Sequence, residues 1–192
     1  MMPKSENREY RSLVEFTAGT DEYIIEGYAC VFDNDYSIGT YNETVHRAAF
    51  DNTDMSDCIL QVEHEGKVYA RTKNNTLQLR VDEHGLFIRA DLSKTEAGKQ
   101  LYNEIKAGMY DKMSFGFTVS DDYFDTTTRH ITGIKKLYDV SVVAFPANDI
   151  TEVTARNLES GFAEARALDE RKKAETEKQK QKLRILCMCG KE

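Results

Sequence analysis

From Asp111 to Ser120 the chain reads DKMSFGFTVS, in which Met113, Phe115, Phe117 and Val119 alternate with Ser114, Gly116 and Thr118. A period of two is the geometry of a β-strand, here with one apolar face and one small, polar face. No helix keeps that pattern on one side, so the segment restricts the chain to folds with a sheet at their centre. Taken alone, the alternation describes an ordinary half-exposed strand. Its serine becomes interesting only if other residues converge on it.

Further strand candidates share β-branched and aromatic content. They are EYIIEGYACVF (Glu22 to Phe32), DCILQVEH, KVYARTK, TLQLRVD, GLFIRADL and YDVSVVAFP, the last ended by Pro146, which cannot donate to a ladder. Asn74-Asn75 and the Asp82 to Gly85 turn divide KVYARTK, TLQLRVD and GLFIRADL into a meander. DDYFDTTTRHITGIKKL reads as a charged hairpin. DNDYSIGTYNET, rich in turn formers, reads as a surface loop that leads to a short helix near VHRAAFDN. In SKTEAGKQLYNEIKAGM, Ser93 and Glu96 form a capping-box pattern, Ala97, Leu101 and Ile105 recur at helical spacing, and Gly108 supplies a stop. About eight strands and one dominant helix define an α+β fold, expected as a mostly antiparallel, barrel-like sheet with flanking helices.

Residues 1–20 open on a polar run and are expected to be flexible, and 21–156 form the folded body. From Asn157 the composition shifts to Ala, Glu, Lys, Gln and Arg, so 157–192 is expected to be a charged helical or disordered tail. The net charge of −7 divides into +3 over residues 164–184, with eight Lys or Arg against five Asp or Glu, and −10 elsewhere. An acidic body argues against nucleic-acid binding. No apolar run approaches the length of a membrane span, and MMPKSENREYRS lacks the apolar segment of a secretory signal, which points to the cytosol. With 192 residues the chain can bury a core without disulfide or metal staples. Cys30, Cys58, Cys187 and Cys189 lack paired CxxC spacing and read as free thiols of a reducing compartment; the two in CMCG fall short of a four-ligand metal site.

A nucleophilic serine needs an imidazole to take its proton and a third group to orient that imidazole. His46, His84 and His130 lie in a helix start, a turn and a hairpin and are most simply solvated. His64 differs, because it ends the apolar strand CILQVEH where a buried strand meets a loop. Gly116, two residues beyond Ser114, leaves room for an extended polypeptide to approach the hydroxyl. Asp139, an acid at the start of the apolar strand DVSVV, is costly to bury without a partner and so is the best-placed third group. Glu63 competes but should diverge from His64, since adjacent strand residues face opposite ways.

In order along the chain, GYACVFD, VHRAAF, the strand ending at His64, TLQLRVDEHGLFIRADLSKTEAGKQLYNEIKAG, MSFGFTV and YDVSVVAFPAN make residues 23–153 resemble the serine proteases that mature the proheads of tailed bacteriophages. That family is related in fold to herpesvirus assemblin. The resemblance implies that the 21–156 body is a prohead serine protease domain, with Ser114 as nucleophile and His64 as base. The third member is open: the herpesvirus relatives use a second histidine and none follows His130 here, so Asp139 is preferred and His130 is the alternative. Ala70-Arg71 stands where the family more often has Gly-Arg. The implied substrates are the scaffold protein, the scaffolding segment of the major capsid protein, and the protease itself. The portal and a second copy of the chain are further partners compatible with the resemblance, and the setting is the host cytoplasm and the interior of the assembling prohead. No cofactor or metal is implied. Two other readings are a non-catalytic assembly module of the same fold and a metal hydrolase, although no HExxH or similar spacing is present.

Overall fold

In the computed structural model, residues 8–18, 22–38, 41–144 and 152–189 are described. Strand β1 spans Glu9–Ala18, β2 Ile24–Val31, β3 Asp35–Ile38 and β4 Tyr41–Val45, and a 3-10 turn follows at Arg47–Phe50. Next come β5 (Ile59–Val62), β6 (Glu65–Arg71), β7 (Leu77–Val81), β8 (Gly85–Asp91) and helix α1 (Glu96–Lys106). Two long strands, β9 (Lys112–Phe124) and β10 (Thr128–Val143), precede helix α2 (Glu152–Cys189).

The strands join in the order β3-β4-β10-β9-β1-β2-β8-β7, while β5 pairs with β10 and carries β6 on its other side. The α+β class holds, but the expected barrel does not: among the described residues the path is open, ending at β3 and β7. Its far flank is divided because β4 and β5 both pair with successive parts of β10, and do so in parallel, so the sheet is mixed. The expected meander is likewise split, with β7 pairing β8 and β6 pairing β5.

Polar sequence concealed three strands. β1 occupies residues expected to be flexible, yet it is central, pairing with β9 through Glu9 to Glu15 and with β2 through Phe16 to Ala18. Its charges are buried in pairs: Arg11 donates to Glu9 (2.7 Å) and to Glu43 Oε2 (2.7 Å), and Arg129 donates to Glu9 Oε1 (3.0 Å), Glu43 (3.1 Å) and Asp122 (2.7 Å). The expected loop at DNDYSIGTYNET is the β3-β4 hairpin, with Tyr36 and Ile38 buried.

The periodic helix forms as expected and buries Leu101, Tyr102 and Ile105. Such side chains contribute about 1.5–3 kcal/mol each. Its cap is Thr95, whose Oγ1 accepts from Gly98 N at 3.0 Å, rather than Ser93, which donates to Asp91 at 2.6 Å. Gly108 ends the helix with φ +77°. Phe115 and Phe117 stack at 4.6 Å in the core beneath β9. Helix α2 begins within the body, where Phe162 packs against Tyr41 and Phe124 at 4.9 Å each, and most residues from Ala163 to Lys180 are exposed. Pro146 lies outside the described residues, as do the side chains of Cys187 and Cys189.

Candidate active site

Ser114 stands on β9, flanked by β1 and β10, opposite Ser12 on one side and Ser141 on the other. The next position on the same face is Gly116, opposite Tyr10 and Asp139. Met113, Phe115 and Phe117 point into the apolar core as the alternation requires. The small, polar face is not half exposed, however: Ser114 is fully buried and Thr118 nearly so.

His64 arrives from the turn between β5 and β6. Val62 pairs with Glu65, so the connection has two residues, Glu63 and His64, with φ of +51° and +59°. A hairpin this short with two left-handed residues usually carries Asn-Gly, and for other side chains the conformation costs about 1 kcal/mol per residue. Two bonds hold it: Glu63 N donates to Val142 O (3.0 Å), and Glu63 Oε1 accepts from Ala144 N (2.7 Å). Glu63 therefore diverges from His64. The parallel pairing of β5 with β10, with Val62 opposite Val142, sets this strained turn over the β9-β10 ladder.

The imidazole joins two strands. His64 Nε2 lies 2.6 Å from Ser114 Oγ, and His64 Nδ1 lies 2.6 Å from Asp139 Oδ1. With the carboxylate ionised, Nδ1 carries the proton and Nε2 presents its lone pair to the serine hydroxyl. This arrangement can accept a proton from Oγ and hold the resulting imidazolium against a buried acid. Asp139 is 3% exposed and is also an acceptor for Ser141 Oγ at 2.8 Å. Tyr10 lies against the imidazole, ring centroids 4.2 Å apart.

Gly116 has a different use from the one its position suggested. A β-carbon there would fall 2.2 Å from Asp139 Oδ2 and 2.9 Å from the Tyr10 ring, so its empty space is occupied by the acid and the aromatic. What the missing side chain makes room for is the Asp139 carboxylate and the Tyr10 ring. Sequence reasoning also missed Ser141 and Tyr10. Ser141 had a signal, a lone small polar residue two positions after an acid in an apolar strand; Tyr10 had none, because it lies in the segment read as flexible.

The remaining histidines lie elsewhere. Both ring nitrogens of His130 are engaged, Nδ1 with His46 (3.1 Å) and Nε2 with Asp125 (3.0 Å), so it does not reach His64. His84 packs edge-on against Tyr28. Ala70, in place of the family's glycine, sits in β6 without a positive φ. Cys30 and Cys58 are buried free thiols whose pKa values burial raises. Among the described residues no three His, Cys, Asp or Glu side chains are grouped to hold a metal, and no helix is long and apolar enough to cross a membrane.

A serine, an imidazole and a buried acid, linked in series on an open sheet, is the constellation of a serine hydrolase. The family model described as caudovirus prohead serine protease matches residues 10–164, and the chain belongs to that family. It is a serine protease. It is 30% identical over 167 residues to the prohead protease of Enterobacteria phage HK97, covering 81% of this chain and 70% of that protein. No solved structure matches. Family membership favours the protease over the assembly-module and metal-hydrolase readings.

Proposed function

We propose that this protein is the maturation endopeptidase of a tailed-phage prohead, with Ser114 as nucleophile, His64 as general base and Asp139 as the group that orients His64. Ser114 Oγ attacks a peptide carbonyl carbon while His64 Nε2 takes its proton. Asp139 keeps the proton on Nδ1 and offsets the imidazolium charge. His64 then protonates the leaving amine as the C–N bond breaks, giving an acyl-serine. Water, deprotonated by the same nitrogen, attacks the acyl carbon; the carboxylic acid leaves and the proton returns to Oγ. Backbone N–H groups meet the developing oxyanion.

The observation carrying this reading is the unbroken chain of two 2.6 Å contacts from Ser114 through His64 to Asp139, across 50 and 75 residues of sequence. The matched relative is named a prohead protease, and on that ground the substrates are the scaffold, the scaffolding segment of the major capsid protein, and the protease itself, cleaved inside the assembling shell in the host cytoplasm. The exposed, charged part of α2 suits a handle that recruits the enzyme to the shell.

Co-expression with the major capsid protein of the same phage tests the assignment. Wild type is expected to shorten the capsid subunit. Ser114→Ala is expected to lower the cleavage rate by at least about 10⁴-fold, and shortening that continues unchanged in Ser114→Ala rejects it. Intact-mass measurement of the active protein tests self-cleavage, which an uncut chain would rule out.

A further inference from the structure

Beside the orienting acid lies a cleft of about 300 Å³ lined by Arg8, Asp57, Arg71, Lys136, Tyr138 and Asp139, among others. Asp139 forms one wall, with its Oδ1 committed to His64 and Ser141. The charges of the other cations differ in how fully they are answered. Arg71 is clamped by Asp57 at 2.6 and 2.8 Å, and Lys136 is 3.0 Å from Asp54. Both acids are held below the usual carboxylate range, Asp57 by the hydrogen bond from Arg71 and then Lys73, and Asp54 by those from Ser56 and then Lys136. Arg8 has no carboxylate partner among the described residues; its guanidinium carbon lies over the Tyr138 ring, 3.7 Å from the centroid. Stacking satisfies the face of a guanidinium and leaves its N–H edge for a planar anion.

Position along the sheet gives the cleft a role. Ser114, Gly116 and Thr118 succeed one another on one face of β9, and their neighbours on β10 are Ser141, Asp139 and Lys136. Each two-residue step is about 6.6 Å, so Asp139 and Lys136 of the cleft stand one and two steps along the sheet from the level of Ser114, about 7–13 Å. An extended peptide with its scissile bond at Ser114 covers that distance in two to four residues, at about 3.3 Å each.

We propose that this cleft is a specificity subsite for an acidic side chain of the substrate, two to four residues from the cleaved bond, with Arg8 as its principal ligand and Arg71 and Lys136 supplying the surrounding positive field. The inference rests on the assignment of Ser114 as nucleophile. A carboxylate entering here stands near Asp139, and the cations offset that repulsion. Because Arg8 immediately precedes β1, the N-terminal strand contributes both a side chain against His64, through Tyr10, and the ligand of the subsite.

The full-length protein digested with a proteome-derived peptide library, with its cut sites mapped by mass spectrometry, is expected to enrich Glu and Asp over Gln and Asn at one position two to four residues from the cut. For a synthetic pair differing only as Glu or Gln there, kcat/KM is expected to favour Glu by about tenfold or more, mostly through KM. Arg8→Ala should bring the Glu/Gln ratio close to one, and Arg8→Glu should turn the preference toward Lys. Cleavage without acidic enrichment, or discrimination that survives both Arg8 variants, overturns the subsite alone. Failure to cut any peptide, with no labelling of Ser114 by a fluorophosphonate, overturns the nucleophile assignment and the subsite with it.

Discussion

At Gly116 a single hydrogen separates the backbone of β9 from the Asp139 carboxylate. Replacing it with a methyl group forces Oδ2 or the Tyr10 ring to move, since the new carbon would stand 2.2 Å from one and 2.9 Å from the other. Gly116→Ala is therefore expected to lower kcat by about 10²-fold or more with a smaller change in KM, because geometry near the reacting atoms is lost while peptide contacts persist. Steady-state kinetics on one peptide substrate checks this. Ser141 acts one bond further out, donating at 2.8 Å to the oxygen that receives His64. Ser141→Ala should cost about tenfold in kcat, in the range seen when an outer hydrogen bond to a functional ligand is removed. Equal losses in both variants would argue that general destabilisation, not orientation of the imidazole, explains them.

Among the elements, β1 depends most on charges that a sequence reading assigns to solvent. Glu9, Arg11, Glu43 and Arg129 are at most 8% exposed and tie β1 to β4 and β10. Removing one member strands its partners in a low-dielectric interior, so Arg129→Met is expected to destabilise the fold by about 3–5 kcal/mol, read from urea midpoints. Acid should act through the same cluster. Burial pushes the Glu9 pKa up, but the hydrogen bond and charge of Arg129, with those of Arg11, outweigh it and leave the value below 4.5. A lowered folded-state pKa contributes stability that is fully present above the unfolded value and lost as pH falls through the folded one. Unfolding free energy should decline below about pH 4.5, and less steeply in Arg129→Met; parallel declines would exclude the cluster as the source.

For the molecule as a whole, the two ends of the chain are unequal. The N-terminal strand joins both halves of the sheet and brings Tyr10 to His64, whereas the body holds α2 near its start, where Gly161 lets the helix approach the Phe124 ring and Phe162 is 6% exposed. Truncation after Arg171 should shift the thermal midpoint by no more than about 2 °C, while Phe162→Ala should cost about 3 kcal/mol. A large loss on truncation would mean that the exposed stretch of α2 stabilises the body. Deleting residues through Ser12 is expected to abolish cooperative unfolding.

α1 and the alternation of β9 were legible in short segments, because hydrophobic period is a local property. The choice of Ser114 and His64 came from the family resemblance, and that of Asp139 from the cost of burying an acid in an apolar strand; the structure brings all three into contact. β1, β3 and β4 were not legible, since their charged and turn-forming residues are stabilised by partners up to 120 positions away, as Glu9 is by Arg129. The sequence by itself determined which face of each strong strand is apolar and which serine, histidine and acid stand as candidates for the site. Only the tertiary structure decided that β5 runs parallel to β10, that His64 lies over Ser114, and that Gly116 houses a carboxylate. A period of two specifies a face but not a neighbour; neighbours are chosen by long-range pairing, whose energy no local stretch of sequence contains.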